Sequence, residues 1–184
     1  MATPAAGYSR THIILHWVIA ALVLFQLFVH SGMEKAWIAR MGGPAEGANP
    51  LPHIIVGIAI LLLAIWRLTL RLRNGAPAHP PGQPAVLTLL ANATHILFYV
   101  LLFVLPLGGI AAWFGNIEMA AVAHVYIQLA FLPLIGLHVL GALVQQFWFR
   151  NGVLRRMAVP DRVLYSQATW SWATLSGVIW SRGE

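Results

Sequence analysis

Four long apolar runs without a charged residue limit the folds open to this chain. They cover residues 13–29, 51–66, 86–114 and 119–149. A helix that crosses a bilayer needs about 20 mostly apolar residues, so the last two runs suffice alone and the first two suffice with their polar flanks. The runs therefore predict an all-α integral membrane protein built as a four-helix bundle.

Composition agrees with this class, since 59% of the residues are hydrophobic and only 9% are charged. No small-residue cleavage site follows the first run, so we expect that run to stay as a transmembrane helix. Cysteine is absent. Its absence excludes disulfides, thiolate metal sites and iron–sulfur ligation.

The eleven basic residues outnumber the five acidic ones and flank the runs unevenly. With four spans, one side carries Arg10, Arg67, Arg71, Arg73, Arg150, Arg155, Arg156 and Arg162. The other side holds only Lys35 and Arg40 among the basic residues. The positive-inside rule then places both termini in the cytoplasm. No soluble segment is large enough for a nucleic-acid surface, and the apolar runs make a lipid bilayer the expected surroundings.

The segments between the runs predict the connections and one domain boundary. Residues 31–50 are rich in Gly and Pro and predict an outer loop, and residues 73–85 hold four prolines and predict an extended cytoplasmic turn. We expect one transmembrane domain over residues 8–160. Residues 161–184 are too short and polar for a fifth span, and their tryptophans predict an interfacial or disordered tail.

Histidines inside apolar runs are costly and usually face a partner or cofactor. His124 and His138 are fourteen residues apart. Fourteen helical residues turn back to within about 40° and rise about 21 Å, so both imidazoles would share one face of one helix. Pro133 lies between them and would bend that helix.

The direction of each run groups four histidines into two layers. His16 and His138 fall on the inner side, and His53 and His124 fall on the outer side. Two layers of two imidazoles suit two bis-histidine haems that carry single electrons. His30 is also fourteen residues after His16 and competes with His53 for the outer layer.

Glycines and one arginine near these histidines fit a flat ligand with acidic groups. Gly57 is four residues after His53, and Gly136 and Gly141 flank His138. Small residues let a planar cofactor or another helix come close. Arg67 falls at the inner level, where it either pairs with a haem propionate or acts as a topology signal.

The other histidines have different expected roles. His95, in the third run, is either a quinone-site or proton-relay residue or a histidine bonded between helices. His12 is expected to meet headgroup water, and His79 is expected to be solvated among loop prolines.

Four motifs resemble the bacterial cytochrome b561 family, which is related to the di-haem cytochrome b subunits of nickel–iron hydrogenases and formate dehydrogenases. They are YSRTHIILHW at 8–17, PHIIVGIAILLLAIWRLTLRLR at 52–73, THILFYVLLFVLPLGG at 94–109 and LIGLHVLGALVQQFW at 134–148. The resemblance implies four helices holding two haems b. It pairs His16 with His138 and His53 with His124, and it favours His53 over His30.

The resemblance also implies activities. Members pass electrons between a donor and the quinone pool of the respiratory chain, and one described activity oxidises superoxide while reducing ubiquinone. His95 matches a histidine near the family's proposed quinone region. Gln145 and Gln146 stand where some members have histidines, which puts the quinone or superoxide site in question.

Three functions are consistent with the sequence. The first is a di-haem, quinone-linked oxidoreductase, with electrons entering at the outer haem and leaving at the inner one or to quinone, or moving in the reverse direction. The second is a cytochrome b anchor that conducts electrons for a partner dehydrogenase or hydrogenase. The third is a haem-free transporter whose histidines relay protons or bind metal, although the four runs contain no carboxylate for such a pathway.

Overall fold

The computed structural model describes residues 7–77, 79 and 83–160, and the regular structure within them is helical. The long helices are α1 (Arg10–Arg40), α2 (Leu51–Asn74), α3 (Ala85–Trp113) and α4 (Glu118–Phe147), and a short α5 (Val153–Arg156) follows. All four long helices are long and apolar enough to cross a membrane. The predicted all-α membrane four-helix bundle is confirmed. The cytoplasmic placement of the termini stays a prediction, and the predicted tail lies outside the described residues.

The first connection is shorter than predicted, because α1 continues eleven residues beyond Val29. The sequence MEKAWIAR is rich in strong helix formers, and the helix stops only before Gly42, Gly43 and Pro44. The predicted loop at 31–50 is therefore wrong in its first ten residues.

The remaining loop folds back against α1 and fixes where α2 begins. The Asn49 backbone N–H donates to the Gly32 carbonyl at 3.0 Å. A Cβ atom at residue 32 would lie 2.8 Å from the Asn49 carbonyl oxygen, so this close approach requires glycine.

All four long helices contribute to one buried layer in the middle of the bundle. The layer consists of Ile19, Ile60, Ala64, Leu102 and Phe131. Many large apolar side chains point outward instead, for example Phe28, which is 80% exposed. In a membrane these side chains would face lipid, so they do not have to be buried inside the bundle and the buried layer can be small.

Close backbone contacts join consecutive helices: α1 with α2, α2 with α3 and α3 with α4. We use "inner end" for the end of the bundle that holds the start of α1 and the end of α4, and "outer end" for the opposite one. Side chains make the contacts described next, which link α4 to α1 and α2.

Candidate functional site

At the outer end, an imidazole from α2 faces one from α4. The ring centroids of His53 and His124 are 6.1 Å apart, with 65° between the ring planes. His124 Nδ1 lies 2.9 Å from the Leu105 carbonyl oxygen. Because a carbonyl only accepts, Nδ1 must carry the proton, which leaves the Nε2 lone pair free for a ligand. We call His53 and His124 the outer pair.

A cavity surrounds the outer pair, and its walls are mostly apolar. All four helices line it, through residues that include Val23, Ile60, Leu101 and Phe131. Gly57 also lines it. On the α3 side, a Cβ atom at Gly109 would lie 3.3 Å from His124 Cε1, so this glycine lets the imidazole lie against the helix.

At the inner end, an imidazole from α1 faces one from α4 in nearly the same geometry. The centroids of His16 and His138 are 6.2 Å apart at 64°. His95 from α3 also approaches His138, at 5.7 Å and 73°. The structure therefore brings His95 next to the inner pair, which we define as His16 and His138.

Polar side chains crowd beside the inner pair without acidic partners. Arg67 lies 5.6 Å from the Tyr99 ring centroid, and Arg71 donates to Tyr8 Oη at 3.3 Å. Arg67 Nε and the Tyr99 hydroxyl are both buried without a hydrogen-bond partner. The acidic residues of the described segments lie toward the outer end of the bundle: Glu34 late in α1, Glu46 in the loop after α1 and Glu118 at the start of α4. A buried guanidinium without a counter-charge is costly, so this cluster suits an anion.

His12 belongs to the same cluster, which corrects the expectation that it meets headgroup water. The residue is only 3% exposed. Its ring stacks on Tyr8 at 4.8 Å, and its Nε2 is buried without a partner. Ser9 Oγ accepts the His12 backbone N–H at 3.3 Å and caps the first turn of α1, which holds His12.

The remaining histidines lie elsewhere. His30 is exposed, with Nδ1 2.8 Å from the Leu27 carbonyl oxygen, and His124 faces His53 rather than His30. His79 is exposed, as expected, and contacts Asn92. Gln145 bonds Asn151 at the inner end of α4, and Gln146 Oε1 is buried without a partner.

Two facing imidazoles limit the metal that each site could hold. The described residues contain no cluster of three or more histidine or carboxylate ligands placed for a metal ion. Protein zinc sites need three or four such ligands. Two imidazoles on opposite sides of a metal, each bonded at about 2 Å, have centroids roughly 6 Å apart. The pairs therefore fit a metal that brings its other ligands with it, as haem iron does.

Sequence reasoning missed Gln26, His12 and the glycine contact at His124. Gln26 Nε2 donates to the His53 carbonyl at 3.0 Å. A glutamine at the centre of an uncharged run was the available signal for it, and the GG pair after Pro106 was the signal for Gly109.

Comparison with known proteins shows which family the chain belongs to. The chain matches the prokaryotic cytochrome b561 family over residues 7–159. It is 34% identical to cytochrome b562 of Cereibacter sphaeroides over 161 residues, which cover 86% of this chain and 99% of the relative. It is 30% identical to the probable superoxide oxidase CybB of Yersinia pestis, over 84% of this chain and 97% of the relative. Cytochrome b561 homolog 1 of Escherichia coli is 31% identical over 56% of this chain and 57% of its own length.

The family match covers all four long helices and both histidine pairs. Family and fold together indicate a haem b protein of a bacterial inner membrane that crosses the bilayer several times and transfers electrons. The chain belongs to the prokaryotic cytochrome b561 family.

Proposed function

We propose that this protein is a di-haem cytochrome that passes single electrons to or from the quinone pool. The observation that carries the proposal is the repeated geometry of the two histidine pairs, whose centroid distances agree within 0.1 Å and interplanar angles within 1°. We assign His53 and His124 to the outer haem and His16 and His138 to the inner haem.

Bis-imidazole haem iron changes between its ferric and ferrous states by one electron with little rearrangement. The protein's part is to hold both imidazoles in place and to keep water away. The Leu105 carbonyl holds His124 in the tautomer that presents Nε2, and the apolar cavity wall excludes solvent from the outer pair.

The inner cluster supports a haem site as well, because haem carries carboxylates. Arg67 has a buried, unpartnered Nε, and the Tyr99 hydroxyl beside it is also unpartnered. We propose that Arg67 binds a propionate of the inner haem, since a charged hydrogen bond would offset the cost of burying the guanidinium.

Replacing Arg67 by Met is expected to lower the reduction potential of the inner haem. A nearby positive charge favours the reduced iron, and an interaction of about 1 to 2 kcal/mol corresponds to roughly 40 to 90 mV for one electron. Potentiometric titration of the purified protein measures the shift. Arg73→Met is the control, since Arg73 is exposed on the same helix. Equal shifts in the two variants would contradict a propionate contact.

We place the quinone site at the inner end, with His95 as its candidate proton donor and acceptor. His95 is the third imidazole there, and its ring adjoins that of His138. Reduction of a quinone to a quinol takes two protons as well as two electrons, and a neutral imidazole can relay them. Gln145 and Gln146 cannot take up a proton, so we assign proton transfer to His95.

The resemblance to a probable superoxide oxidase makes superoxide the proposed electron donor. Two superoxide ions would each give one electron at the outer end and leave as oxygen, and one ubiquinone would take both electrons with two protons.

The second candidate function is an electron-conducting anchor for a partner dehydrogenase or hydrogenase. It is favoured if the purified protein binds haem but has no superoxide or quinone activity.

The test of this proposal is the haem content of the purified protein. A reduced-minus-oxidised spectrum with pyridine haemochrome quantification is expected to give about two haems b per chain and a sharp alpha band. A superoxide-driven ubiquinone reduction assay then separates the oxidase from the anchor. A colourless protein that takes up no added haem would overturn the di-haem proposal and favour a haem-free role for the histidines.

A further inference from the structure

Gln26 is the polar side chain of α1 that contacts the outer site, and the proposed electron transfer does not account for it. It lies ten residues after His16, between the levels of the two pairs, and lines the same cavity as His53 and His124. Burying an amide in an apolar cavity is costly unless its polar atoms are bonded. Only one end of this amide has a partner, through Nε2 to the His53 carbonyl.

The unpartnered atoms of Gln26 and His53 are complementary. Gln26 Oε1 is a buried acceptor without a donor, and His53 Nδ1 is a buried ring nitrogen without a partner. If His53 binds a metal through Nε2, its Nδ1 must carry a proton and needs an acceptor. At His124 the Leu105 carbonyl already fills this role.

The local packing keeps the two residues together. The Nε2 bond of 3.0 Å ties the Gln26 amide to the backbone of His53 itself. A Cβ atom at Gly57, one turn further along α2, would lie 3.4 Å from Gln26 Nε2. The Gln26 amide therefore lies against α2 beside Gly57, which also lines the cavity.

We propose that Gln26 is the positioning residue of the outer haem ligand His53, holding its backbone through Nε2 and accepting the Nδ1 proton through Oε1. This inference rests on the proposed ligand role of His53. An imidazole whose Nδ1–H is bonded to an acceptor donates more electron density to iron, which favours the ferric state. Gln26 would then hold the outer haem at a lower reduction potential than it would have without this bond.

The experiment compares Gln26→Leu and Gln26→Glu with the matched control Gln128→Leu. Gln128 lines the same cavity from α4, so its replacement removes a similar polar group on another helix. The purified proteins are examined by potentiometric titration and by the electron paramagnetic resonance of the ferric low-spin haems.

We expect Gln26→Leu to raise the outer-haem potential and to change its low-spin g values. Gln26→Glu, which keeps an acceptor oxygen, is expected to leave the potential at or below that of the unmodified protein. Equal potentials and g values in Gln26→Leu and Gln128→Leu would overturn the proposal, since cavity polarity alone would then explain the shift.

Haem content distinguishes a failure of the proposed role of Gln26 from a failure of His53 as a haem ligand. A His53→Ala protein that keeps both haems would show that His53 is not a ligand, whatever Gln26 does. A His53→Ala protein with one haem, combined with equal behaviour of the two leucine variants, would overturn only the role of Gln26.

Discussion

Replacing His53 by Ala is expected to halve the haem content, from about two haems per chain to about one. The ring of His53 faces His124 at 6.1 Å and supplies the α2 side of the outer pair. Without it His124 has no opposite imidazole, whereas the inner pair lies on α1 and α4 and is untouched. Pyridine haemochrome quantification measures the loss, and the surviving low-spin signal reports that the bundle is folded.

The matched control is His30→Ala, because His30 shares the predicted outer level but is exposed and bonded to its own helix. We expect that variant to keep both haems. The reverse result, with His30→Ala losing a haem and His53→Ala keeping two, would assign the outer site to His30.

Replacing His16 by Ala is expected to remove the inner haem and with it ubiquinone reduction. The inner end contains three imidazoles, and His16 is the one whose arrangement with His138 repeats that of the outer pair. In contrast, His95→Ala is expected to keep two haems and to lose most of its quinone activity, because His95 would serve proton transfer. Haem content and quinone reduction are measured on the same samples.

The His16→Ala and His95→Ala variants also test which of these two histidines binds the inner haem together with His138. His95 lies 5.7 Å from His138, which is close enough to compete with His16. A His95→Ala protein with one haem and a His16→Ala protein with two would assign His95 as the ligand and leave the proton role without a candidate.

The membrane helices and the grouping of the histidines could be predicted because each depends on a repeated physical constraint. Bilayer thickness fixes the length of an apolar run, and the alternating direction of the runs sets the level of each histidine. His16 and His138 therefore share one level and His53 and His124 the other, and in the structure each pair is in contact.

Other features escaped prediction because they depend on contacts between distant residues. The Gly and Pro content of residues 31–50 predicts a loop there, but these residues cluster after position 41, and α1 continues to Arg40 before the Gly-Gly-Pro sequence ends it. The sequence predicts His12 at the lipid headgroups, but its ring stacks on Tyr8 and the residue is only 3% exposed. The contact of Gln26 with His53 spans 27 residues and has no local signature.

The position of α4 has a consequence for how the protein is assembled. Each histidine pair takes one imidazole from α4, and the other comes from α1 or α2. A nascent chain that has inserted only its first three helices thus holds no complete pair. With the proposed ligands, cofactor loading would wait for the fourth helix, and the bound groups would then fasten that helix to the first hairpin. Maturation of the holoprotein would then be a checkpoint on complete membrane insertion.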